Sequence, residues 1–113
     1  MFNFQKLDVY PCSLELLTTM TPLLERTPKG GGISDQLRRA ANSIPLNIAE
    51  ATGRTGRDAQ RFFLIARGSA FECAAIFDVL LATGQVDAVT IRPLLELLER
   101  IVSMLTVMGR GRV

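Results

Sequence analysis

The chain has 113 residues, of which 48% are apolar and 6% aromatic, and a formal net charge of +2. That length suits one domain with a modest core, and that charge is too small to name a partner by itself. Histidine is absent, which removes the commonest general base and metal ligand, and the two cysteines form no CxxC. No catalytic residue, metal or cofactor is therefore assigned.

The chain opens with "MFNFQKLDVYP", which has no charged segment followed by an apolar one and so is no signal peptide. No charge-free apolar stretch reaches the roughly 18 residues that span a bilayer. Isolated Cys12 and Cys73 fit a reducing compartment. A cytoplasmic protein that avoids membranes is expected.

A first helix is predicted over residues 11–27, with Leu14, Leu17 and Leu24 on one face and Leu16, Met20 and Leu23 on another. Pro11 falls near its start, where a missing N–H costs little, and Pro22 is expected to shorten or kink it. "TPKGGG" (27–32) then reads as a flexible loop. The second helix is predicted over 34–51, capped by Ser34 or Asp35. It carries Leu37, Ala40, Ala41, Ile44, Ile48 and Ala51 at helical spacing, with Pro45 in its middle. Because that spacing continues past Pro45, a bend is predicted there, the alternative being two short helices that meet at Ile44–Pro45. "TGRTG" (52–56) is a turn. The third helix is predicted over 58–83, capped by Asp58 and ended by Gly84, and the fourth over 87–108, capped by Asp87 or Thr90. With Thr90 as the cap, Pro93 sits in the first turn. "GRGRV" (109–113) reads as a frayed tail. No alternating strand pattern and no internal repeat competes, so the class is all-α.

Helices three and four carry more apolar surface than one bundle face needs. In the third, Phe63, Ile65, Ile76 and Leu81 widen a stripe of Phe62, Ala66, Ala70, Cys73, Phe77 and Leu80. In the fourth, Leu97 and Met104 sit off the stripe of Ile91, Leu94, Leu98, Ile101, Leu105 and Met108. The surplus predicts a contact with another subunit.

Arg39, Ser43, Asn47 and Glu50 form a polar line along the second helix. An antiparallel hairpin between helices two and three sets Arg39 level with Glu72, Ser43 with Gly68, Asn47 with Leu64, and Glu50 with Arg61. The line then reads as a structural polar layer of Arg39, Ser43, Asn47, Glu50 and Glu72 that fixes the alignment, with close backbone approach at Gly68.

"QLRRAANSIPLNIAEATGR" followed by "FFLIARGSAFE" resembles the four-helix-bundle family of 23S-rRNA intervening-sequence proteins. The likeness rests on the "RRA", "SIP" and "NIAE" runs of helix two and on Phe63, Ala66, Gly68, Ser69 and Glu72 of helix three. It extends more weakly over the rest of the chain. Ala51 stands where the family usually has Gly, and "TPKGGG", Pro11 and Pro22 also depart from its pattern. The resemblance implies one domain over residues 1–113, an antiparallel up-down four-helix bundle, and a homo-oligomer whose characteristic form is a pentamer. Family members are encoded within inserts of rRNA genes, relatives accompany reverse transcriptases of retroelements, and nucleic-acid binding is the role usually suggested.

Charge is uneven along the chain. Residues 34–68 hold six arginines against three acids, and residues 69–108 hold Arg92 and Arg100 against five acids. Arg54, Arg57, Arg61, Arg110 and Arg112 are the candidate nucleic-acid contacts. Arg54 and Arg57 are expected to lack intrachain partners, whereas Glu50 competes for Arg61. Phe62 and Phe63 read as core, so no aromatic ring lies among these arginines for base stacking. A partner protein such as a polymerase, docked on the surplus apolar surface, is the second reading. Catalysis is not expected, because the serines have no histidine base and "KGGG" lacks a P-loop ending.

Overall fold

Apolar residues at three- and four-residue spacing build four helices: α1 (Val9–Glu25), α2 (Ile33–Thr52), α3 (Gly56–Ala82) and α4 (Ala88–Gly109). A short 3-10 helix, Asn3–Lys6, precedes them. The computed structural model describes residues 1–26 and 32–111; the "TPKGGG" loop before Gly32, and Arg112, lie outside the described residues. No strand occurs among the described residues. α2 packs most extensively on α3 and α3 on α4, while α1 rests against α4 and α2. The result is the expected up-down bundle, 43 Å long and 24 by 23 Å across.

The helix starts differ from expectation for local reasons. α2 is entered through Gly32 at φ 75°, ψ −156°, a backbone region that favours glycine, so Ser34 and Asp35 fall inside the first turn. Thr55 holds the N-cap position of α3 without a side-chain hydrogen bond, and Gly56 at φ 57° turns the chain into the helix, which places Asp58 in its first turn. Asp87, not Thr90, caps α4: its carboxylate accepts the Thr90 N–H at 2.8 Å. Pro93 therefore lies one turn deeper in the helix than a Thr90 cap would place it. α3 ends as predicted at Gly84. Its N–H bonds the Leu81 carbonyl, and Gln85 N–H bonds that of Leu80, the paired closure of a Schellman motif.

None of the internal prolines, Pro22, Pro45 and Pro93, ends its helix. α1 runs through Pro22 with Leu23 and Leu24 buried beyond it. α2 runs through Pro45, so the two-helix alternative is wrong. Pro45 is buried between Ile44 and Ile48, both fully enclosed. At that position the ring adds apolar packing to the core, which offsets the hydrogen bond it denies to the Ala41 carbonyl.

The core runs the length of the bundle through Leu16, Met20, Leu37, Ile44, Ile48, Phe77, Leu80, Leu94, Leu98, Ile101 and Leu105, all essentially sealed from solvent. Burying each such side chain contributes about 1.5–3 kcal/mol. Ala40, Ala41, Ala66 and Ala70 are also buried, and these small residues let α2 and α3 approach closely. α4 spends its surplus inside the monomer, with Leu97 buried and Met104 partly so. α3 does not: Leu64, Ile65, Phe71, Val79 and Leu81 are between 38% and 54% exposed. Phe62 is only half-buried, so it is not the core residue expected.

The α2–α3 polar layer forms with different partners. Ser43 Oγ lies 2.9 Å from Ser69 Oγ, and Asn47 Nδ2 donates to Ser43 Oγ and to its carbonyl, each at 2.8 Å. Gln36 Nε2 donates to Glu72 Oε2 at 3.2 Å. Arg39 and Glu72 form no ion pair, nor do Glu50 and Arg61. A four-residue step overshoots a 3.6-residue turn by about 40°. Two such steps separate Arg39 from Asn47, which carries Arg39 round to the exposed surface. Gly68 is not a close-approach point either, since a Cβ there would touch nothing within 4 Å.

Candidate nucleic-acid interface

The antiparallel course brings the start of α1, the α2–α3 turn and the end of α4 to one end of the bundle. Packing fixes this arrangement. A Cβ on Gly109 would fall 2.9 Å from Leu64 Cγ, and one on Gly111 would fall 2.9 Å from the Gln60 amide nitrogen. The last turn of α4 is thus pressed against the first turns of α3.

Arg54 is not free. Its Nε lies 3.2 Å from Glu50 Oε2 and its Nη1 lies 2.8 Å from Asp58 Oδ2, joining the end of α2 to the start of α3. The Asp58 hydrogen bond is the main reason its pKa is raised. Its guanidinium also lies over the Phe62 ring at 4.4 Å, and that of Arg61 approaches the same ring at 5.5 Å. Arg54 is therefore a clamp on the turn, with its charge neutralised by two carboxylates.

Arg57 and Arg61, one turn apart on α3, are exposed and make no ion pair or side-chain hydrogen bond. Glu50 binds Arg54, so it does not compete for Arg61. Arg110 caps α4 with an exposed side chain, and Arg112 lies outside the described residues. Lys6, which the sequence did not single out, joins the group as an exposed, unpaired cation just before α1. Of the carboxylates at this end, Glu50 and Asp58 are taken by Arg54, which leaves Asp8, at the start of α1, against Lys6, Arg57, Arg61 and Arg110. The end is thus net basic. The side of the bundle between α1 and α4 differs: its groove is lined by Asp8, Glu15, Glu96 and Glu99 with Arg100 as the one cation among them. That groove repels phosphate.

An aromatic ladder stands beside the same end. Phe2 stacks on Phe4 with centroids 5.7 Å apart and planes within 9°, and Phe4 meets Tyr10 edge-on at 4.9 Å. The order of this segment comes from a reciprocal cap, with Phe2 N–H donating to Gln5 Oε1 at 2.8 Å and Gln5 N–H to the Phe2 carbonyl. A spacing of two residues between Phe2 and Phe4 was the only signal for it in the sequence.

Cys73 is sealed in the core, where burial pushes its thiol up to about 12, so it is no nucleophile. No three His, Cys, Asp or Glu side chains among the described residues are placed to hold one metal ion. No helix among them is long and apolar enough to cross a membrane.

No curated protein matches the chain. The family model described as 23S rRNA-intervening sequence protein matches residues 5–107, a span that holds α1 to α3 and all but the last two residues of α4, and the chain belongs to that family.

Proposed function

We propose that this protein is a non-enzymatic, oligomeric helical bundle that binds the nucleic-acid backbone through its basic end, without strong sequence specificity. One observation carries the reading: Lys6, Arg57, Arg61 and Arg110 come from three separate segments to one end of the fold and form no ion pair there, so that they outnumber Asp8, the carboxylate at this end that Arg54 does not hold. Unpaired charges of one sign attract phosphate. The family's description, which ties it to an intervening sequence of 23S rRNA, supports RNA as one such polyanion. Self-association is supported by the outward face of α3, where Leu64, Phe71 and Val79 are exposed along one side. Gly68 and Ala75 lie between them. A pentamer follows from the family resemblance. Repeating the basic end in each copy raises avidity without new contacts.

Binding of RNA and DNA by wild type and by Arg57→Ala/Arg61→Ala, each at low and high salt, tests the reading. The wild type should bind both polymers at low salt and release them as salt rises, and the variant should bind both more weakly. Light scattering should report a mass several times 12.4 kDa. A protein that binds neither polymer at low salt is instead a scaffold for a partner protein. The exposure of Leu46 (68%) and Phe71 (54%) favours that second reading, and a nuclease-resistant pull-down would support it.

A further inference from the structure

Phe2 is 72% exposed, yet it is not loose. Its backbone is held by the reciprocal bonds with Gln5, and one ring face lies on Phe4. Phe4 in turn packs on Tyr10, and both are part of the partly buried layer against the core. The other face of Phe2 is open to solvent. A rigid aromatic ring with one free face is costly to leave in water and ready for another flat ring.

The surroundings identify what that ring would be. Lys6 lies four residues away in the segment that packs on α1 and α2, and Arg57 and Arg61 on α3 and Arg110 at the end of α4 share the same end of the bundle. An aromatic face next to Lys6, at the same end of the bundle as three further unpaired cations, is complementary to an extended ligand that is both flat and anionic. A single-stranded nucleic acid offers both, with unpaired bases to stack and phosphates for the cations. A duplex does not, because its bases are already stacked on each other. Phe62 is unsuitable for the role, since Arg54 and Arg61 already lie against its ring.

We propose that Phe2, backed by Phe4, is a base-stacking platform that makes the basic end select single-stranded over double-stranded nucleic acid. The inference rests on the backbone-binding reading above, and its test separates the two. An oligothymidylate, an abasic strand of the same length and a duplex are titrated against wild type, Phe2→Ala and Phe2→Trp. The wild type should hold the oligothymidylate about five- to a hundredfold more tightly than the abasic strand, as one or two stacked bases allow. Phe2→Ala should bring that ratio close to one without changing the salt slope, and Phe2→Trp should keep it with quenched indole fluorescence. Equal binding of base-bearing and abasic strands by wild type overturns the platform and leaves the basic-end reading standing. So does a Phe2→Ala protein that keeps the ratio. Indole fluorescence that responds to protein concentration but not to oligothymidylate overturns it too, by placing the ring between copies of the chain. Failure to bind any of the three polymers at low salt overturns both readings.

Discussion

Gly109→Ala probes the contact that closes the basic end. Alanine normally stabilises a helix relative to glycine, by about 1 kcal/mol in a helix interior. At Gly109 the gain is opposed by a clash. The new Cβ would sit 2.9 Å from Leu64 Cγ, and closer still to Leu64 Cδ2, where carbon pairs prefer about 3.5–4.0 Å. Cγ is the branch point of Leu64, so it retreats only if the whole side chain leaves its rotamer. Overpacking of this kind costs about 1–3 kcal/mol, and Gly109 is the last residue of α4, where the propensity gain is smallest. The clash should win, leaving a loss of about 1–2 kcal/mol. For a domain of this size that lowers Tm by roughly 4–8 °C per kcal/mol at fixed protein concentration. Leu64 is 39% exposed, so Leu64→Ala should cost less than the 2–5 kcal/mol of a sealed leucine. The double variant should then be more stable than the two single losses summed. A Gly109→Ala protein that melts higher than wild type, or strictly additive effects, would refute the packing of α4 on α3.

Other perturbations test the remaining elements. Ser69→Ala should destabilise by about 0.5–1.5 kcal/mol through loss of the bond to Ser43, and a double-mutant cycle with Ser43→Ala should be non-additive. The Asp87 carboxyl is held below its usual range, chiefly by the Thr90 N–H. Its capping contribution is therefore full above the unfolded-state pKa and lost as pH falls through the lowered folded value. The stability difference between wild type and Asp87→Ala should be constant at neutral pH and vanish in acid. Cys73, pushed up to about 12 by burial, should resist thiol reagents in the native protein and react on unfolding, as peptide mass spectrometry would show.

The helices were legible because apolar spacing survives the prolines, and Gly84 stopped α3 where its sequence said it should. The caps of α2 and α3 were not legible. Both helices are entered through glycines at positive φ, Gly32 and Gly56, and backbone freedom overrode the polar capping residues that follow. Sequence level along the axis placed Arg39 beside Glu72, but angular drift around the helix decided which side chains meet. Hence Gln36, Ser43 and Ser69 form the layer. Arg54 looked free because its partners, Glu50 and Asp58, are each one turn away on either side of a break between helices; only the folded turn brings both to it. Lys6 and Phe2 were invisible as site residues because the arginines that share their end of the bundle lie some fifty residues or more along the chain.

In the proposed interface Arg57 and Arg61 meet phosphates while Arg54 holds the turn. Replacing any one of these arginines by alanine changes the net charge equally, so affinity alone does not separate them; the salt dependence does. On a single strand each phosphate contact contributes about 0.7 to the slope of log K against log salt. The measurement is that slope for wild type, Arg54→Ala, Arg57→Ala and Arg57→Ala/Arg61→Ala. The slope should flatten by about 0.7 for Arg57→Ala and about 1.4 for the double variant, and stay at the wild-type value for Arg54→Ala. An unchanged slope in the double variant, or flattening in Arg54→Ala alone, would contradict the assignment of this end as the nucleic-acid interface.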